Sequence, residues 1–196
     1  MGRSTELADR WRETFFDSQR EPARGNPLST AALHENLQDW TIHLTTAVVR
    51  SCETLGWRAA AQGYPGLVLP VSRKEYLSFD VMAFEPSTSK WPLPVAVFEL
   101  ESKQRGEWVG YSLWKLLCVR ASFRVVFAYR RYPSEALSLV SRLSDEVIAS
   151  MTTEQRLAIN GETLLMVGNC GKAETGPYGS FQGWRLENNT GNFERV

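Results

Sequence analysis

Between Val95 and Lys103 the chain reads Val-Ala-Val-Phe-Glu-Leu-Glu-Ser-Lys, with Glu99, Glu101 and Lys103 spaced two positions apart. On a strand, side chains two apart project from one face. Four apolar residues lead into this charged row, so the strand runs from core to cleft and is not simply wet along one side. Charges placed against an apolar core are costly unless they are paired or bind a metal. A second apolar stretch, Tyr76 to Phe84, carries the isolated Asp80 at its middle. Asp80, Glu99 and Glu101 are hard oxygen donors, and together they suggest a divalent-metal site.

Such a site needs a scaffold, and the composition allows one. The chain has 196 residues, 43% hydrophobic and 22% charged, which fits a single globular domain with a sizeable core. Its formal net charge is zero, so any nucleic-acid binding must come from local patches. Cys52, Cys118 and Cys170 lie far apart with no CxxC pair, which points to reduced thiols in a cytoplasmic protein and against a zinc knuckle. No run is long and apolar enough for a membrane span. The two histidines, His34 and His43, have no third ligand candidate nearby and give little support to a histidine site.

Periodicity places the elements. Leu7, Trp11 and Phe15 form the stripe of an N-terminal helix, followed by a breaker-rich linker from Glu21 to Pro27. A long helix is expected from Ser29 or Thr30 to Leu55, stopped by Gly56, with Glu35 on its wet side. Strands are expected at Leu67–Val71, Tyr76–Phe84 and Val95–Lys103, then a helix at Trp108–Arg120 and a strand at Phe123–Tyr129. A strand-helix-strand unit of this length implies parallel pairing with helices on both faces. Beyond it come a helix at Pro133–Ser150, a short helix capped by Thr152 or Thr153, a strand at Leu164–Val167, a glycine-rich loop at Gly168–Ser180, a strand at Phe181–Leu186 and a polar tail. The organisation expected is one domain: a helical arm and linker at 1–27, a core at 28–132 and an α+β extension at 133–196.

Helix, three-strand meander, helix, strand is an order that resembles the PD-(D/E)XK superfamily, the restriction-endonuclease-like nucleases. The resemblance covers Ser29 to Tyr129. It sets Asp80 at the second-strand acid and Glu101-Ser102-Lys103 at the acid-x-Lys of the third strand, with Phe79 where proline is common. Glu99-Leu100-Glu101 fits the acid position as well, because members can carry Glu-x-Glu there with the lysine supplied by the next helix. Lys115, within Tyr-Ser-Leu-Trp-Lys-Leu-Leu, stands where that lysine is expected.

The resemblance implies an α/β fold, a mixed sheet flanked by helices, and hydrolysis of phosphodiester bonds. The cofactor implied is Mg²⁺ or Mn²⁺, held by Asp80 with Glu99 or Glu101, while Lys103 or Lys115 neutralises charge on the phosphate. The substrate expected is nucleic acid, DNA before RNA, in a defence, restriction or repair setting. Arg73, Lys74, Arg105 and Trp108 are the nearest candidates for contacting it, with Arg120, Arg124, Arg130, Arg131 and Trp91 behind them. Neutral overall charge suggests help from a homo-oligomer or a partner subunit. The alternative is a catalytically inactive binding subunit on the same fold.

Overall fold

The computed structural model describes residues 7–19, 27–34, 36–64, 68–71, 75–103, 105–169 and 181–196. Its centre is a seven-stranded sheet in sequential order: β1 (Arg58–Ala61), β2 (Val81–Phe84), β3 (Ala96–Glu101), β4 (Phe123–Arg130), β5 (Glu162–Asn169), β6 (Phe181–Glu187) and β7 (Asn192–Arg195). β1, β2 and β3 form an antiparallel meander, β3, β4 and β5 run parallel, and β5, β6 and β7 are antiparallel again. The chain is thus α/β, with a mixed sheet flanked by helices. The β3-to-β4 crossover runs through α4 (Gly106–Leu117), as parallel pairing requires.

Alternation along the strands sorts the core into two layers. Phe98, Leu100, Val125, Phe127, Leu164 and Met166 face α1 (Leu7–Ser18) and α3 (Leu37–Thr54). Here Trp11 and Phe15 are fully buried and stack at 5.1 Å between ring centres, and Trp11 also meets Phe98 at 5.3 Å. The N-terminal helix is therefore packed into the core. On the other face, Met82, Val97, Val126, Leu165 and Val167 pack against α4, α5 (Glu135–Leu143) and the π-helical turn Ser144–Ile148.

Several boundaries depart from the expected ones. The long helix is two, α2 (Pro27–Leu33) and α3, because the Asn36 side chain accepts the Asp39 amide and starts a new helix. Gly56 does end α3, with φ of 80°. The first meander strand is Arg58–Ala61; residues 68–71 are bends, and Asp80 sits just before β2 instead of mid-strand. The polar tail pairs as β7. The short helix is α6 (Thr153–Leu157), with Thr152 and Gln155 forming a capping box. Arg73, Lys74, Glu35 and most of the glycine-rich loop, Cys170 included, lie outside the described residues. Among the described residues no helix is long and apolar enough to cross a membrane.

Candidate active site at the ends of β2 and β3

The β2–β3 register pairs Val81 with Phe98, and its continuation sets Asp80 opposite Glu99. Cross-strand partners share a face. For these two it is the α4 side, the side of Met82 and Val97. Asp80 is tied to β3 by its Oδ2, which accepts the Leu100 amide at 2.7 Å. Glu99 is 6% exposed, and α4 supplies both of its partners. Lys115 Nζ lies 2.7 Å from Glu99 Oε1, and the Ser112 hydroxyl donates to Oε2 at 3.3 Å. Ser112 and Lys115 are three apart on the helix, so one face presents both.

That helix is held in place at its far end. Arg124, 2% exposed on β4, donates from Nε to the Leu116 carbonyl at 3.0 Å and from Nη2 to the Val119 carbonyl at 2.7 Å. Its Nη1 reaches the Asn160 carbonyl at 2.7 Å. Arg124 is therefore a clamp on the C-terminus of α4, not a surface phosphate contact. Arg130 is likewise 7% exposed, with Nη1 donating to the Tyr129 carbonyl.

The turn leading into Asp80 is strained. Leu77 and Ser78 have φ of 53° and 56°, left-handed values that side chains with a Cβ adopt at a cost. Lys115 Nζ donates to the Ser78 carbonyl at 2.7 Å and sits 4.7 Å from the centre of the Phe79 ring. One ammonium thus joins the strained turn to the buried glutamate.

Electrostatics set both acids apart. Burial, opposed by the Lys115 contact and reinforced by the charge of Asp80, pushes the Glu99 carboxyl up to about 7. Asp80 is also raised, first by burial and then by the charges of Glu75 and Glu101, against the Leu100 amide and Lys115. A buried carboxylate and a half-buried one side by side destabilise each other's charged form.

The remaining candidates lie around this pair. Glu101 accepts the Lys103 backbone amide at 2.7 Å through Oε1. Lys103 is exposed, its ammonium 3.8 Å from the centre of the Trp108 ring. Arg105 is exposed at the N-cap of α4. Trp108, Tyr111 and Trp114 expose aromatic surface along the helix, the last two stacked at 6.0 Å. The structure therefore brings together Asp80, Glu99 and Lys115, while Lys103 turns to Trp108. Two contributors were missed in the sequence: Ser112, whose signal was its position one turn before Lys115, and Glu75, which follows Arg73 and Lys74 in a stretch read as a hairpin connection.

Among the described residues no three His, Cys, Asp or Glu side chains are grouped to hold a metal ion. Mg²⁺ does not need such a cage, since it is commonly bound through one or two carboxylates with water and phosphate completing the shell. Asp80 and Glu99 match that donor type, and burial leaves the pair short of positive charge. No protein-family model matches the chain, and no curated protein matches it. Among solved structures it is similar to NucC of E. coli MS115-1 in a cAAA-bound form, at 11% sequence identity over 97% of this chain and 83% of that one, with a TM-score of 0.48.

Proposed function

We propose that this chain is a metal-dependent nuclease that hydrolyses phosphodiester bonds of DNA, with Asp80, Glu99 and Lys115 at its centre. The observation that carries the reading is the convergence of three charged groups from three elements at the C-terminal end of β3, where open α/β sheets place ligands. The resemblance of the strand and helix order to the PD-(D/E)XK nucleases supports it from the sequence side. Asp80 and Glu99 would hold Mg²⁺ or Mn²⁺ through carboxylate oxygens. Such an ion would supply Lewis-acid polarisation of a phosphate oxygen and a bound water of lowered pKa.

The chain's own groups do the rest. Ser112 fixes the Glu99 carboxylate from behind, and Arg124 keeps α4 from sliding. Lys115, on a flexible stem, donates to the phosphate as negative charge builds on it. Arg105, Lys103 and the aromatic side chains of α4 lie on the surface over which a nucleic-acid strand would approach, through phosphate contact and base stacking.

The test is nicking of supercoiled plasmid in Mg²⁺ or Mn²⁺, with a chelator as control. Asp80→Ala and Glu99→Ala are each expected to slow cutting by about 10³-fold. Metal-dependent cutting that persists in both variants overturns the reading.

A further inference from the structure

Lys115 stands in an unusual position for a lysine that serves only a phosphate. Its ammonium has two oxygen partners inside the protein, Glu99 Oε1 and the Ser78 carbonyl, both at 2.7 Å, and its side chain is 18% exposed. Glu99 Oε1 is one of the few oxygens a cation bridging Asp80 and Glu99 could use. Asp80 Oδ2 already accepts the Leu100 amide, and Glu99 Oε2 already accepts the Ser112 hydroxyl. A divalent ion at Glu99 and an ammonium at 2.7 Å from the same oxygen repel one another strongly in a buried setting. Sharing that oxygen would weaken the hold of each.

We propose that Lys115 is a resident cation that competes with divalent-ion binding for Glu99, so that an ion entering between Asp80 and Glu99 displaces the ammonium and releases the Ser78 carbonyl with it. The inference rests on the site assigned above and adds its regulation. Displacement hands the lysine from the glutamate to the substrate side, so loading of the ion and arming of the lysine become a single event. It also releases the contact that joins the left-handed Leu77–Ser78 turn to α4. The competition taxes ion affinity by the fraction of molecules in which Lys115 has left Glu99.

Calorimetric titration of Mn²⁺ into the full-length protein, at about pH 8 so that the carboxyls are ionised, tests this without reference to activity. Lys115→Gln is expected to bind Mn²⁺ about tenfold tighter than wild type, or more. Lys103→Gln removes the same charge from a lysine that faces Trp108, and its affinity is expected to stay within about twofold. Lys115→Arg keeps a cation beside Glu99, is expected to fold as wild type, and gains nothing. Equal or weaker binding by Lys115→Gln, an equal gain in Lys103→Gln, or a tenfold gain in Lys115→Arg overturns the proposal. Binding that Asp80→Asn abolishes while Lys115→Gln leaves it unchanged overturns this competition alone. Mn²⁺ binding by no variant overturns the site and the competition together.

Discussion

Two acids sit against opposite faces and opposite ends of the parallel strands, and their neighbours hold them differently. Glu162, at the start of β5, faces α1. Its carboxylate accepts the Ala8 amide at 3.3 Å, at the positive end of that helix, and Arg185 Nε stands 3.8 Å away. Arg185 also grips Asp9 at 2.7 Å. Glu99, near the end of β3, has one ammonium and faces a second carboxylate, Asp80. Burial raises both glutamates. At Glu162, the Ala8 and Leu7 amides of the helix oppose that cost while the charge of Asp9 adds to it, and the contacts to α1 make the residue an anchor for that helix. At Glu99 the cost is only partly offset, which leaves room for a further positive charge.

The sharpest way to break this contrast is kinetic. In the plasmid assay Asp80→Asn is expected to lose about 10³-fold, whereas Asp9→Asn, also a half-buried acid beside a cation, stays within about twofold. A comparable loss in both would mean that the assay reports folding, not the site.

The second prediction concerns pH and stability. Glu99 titrates near 7 in the folded chain and at the ordinary carboxylate value once unfolded. Between about pH 4.5 and 7 the folded form holds a proton that the unfolded form has released. Stability contributed by this group is therefore complete in acid and lost as pH rises to about 7, by on the order of 3 kcal/mol. Denaturant melts across that window should show the fall in wild type and a flatter profile in Glu99→Gln. An unchanged slope in Glu99→Gln would assign the pH dependence elsewhere.

Stability provides the third test, with the opposite sign at the two acids. Glu162→Ala removes the acceptor of the Ala8 amide, while Arg185 keeps Asp9, and is expected to cost about 1–2 kcal/mol. Asp80→Asn relieves a like-charge contact and is expected to be neutral or stabilising in metal-free buffer, as functional acids often are when removed. Thermal melts of the two variants side by side decide it. Equal destabilisation would erase the distinction between anchor and site.

How far these features could be read from residues alone depends on which forces place them. Glu99 was legible because the hydrophobic run ahead of it marked a strand leaving the core, and alternation then fixed its face. The helix bearing Lys115 and the strand Phe123–Arg130 were legible for the same reason, strong periodicity of large apolar residues. β1 was not, since Arg-Ala-Ala-Ala has no strand signature and gains its place from pairing with Met82 and Ala83. β7 was equally silent, because it is polar apart from Phe193, and backbone pairing with β6 together with that one ring against the core holds it. The left-handed turn at Leu77–Ser78 carries neither glycine nor asparagine, so only the tertiary contact through Lys115 betrays it. The choice between Glu99 and Glu101, and between Lys103 and Lys115, depends on strand register and helix rotation. Neither is written in spacing.

That last choice yields the smallest and most discriminating effect. Lys103 rests its ammonium on Trp108 in the open, an arrangement that contributes about 0.5 kcal/mol. Lys103→Ala should therefore lower stability by that little and leave plasmid cutting within a few-fold of wild type, because the charge beside the paired acids belongs to Lys115. Lys115→Ala should slow cutting by about 10²-fold or more in saturating Mn²⁺. The two substitutions remove identical groups from residues twelve positions apart, so nonspecific charge loss affects both alike. If Lys103→Ala proved the more damaging, the acid-x-Lys reading through Glu101 would displace the one through Glu99, and α4 would revert to scaffold.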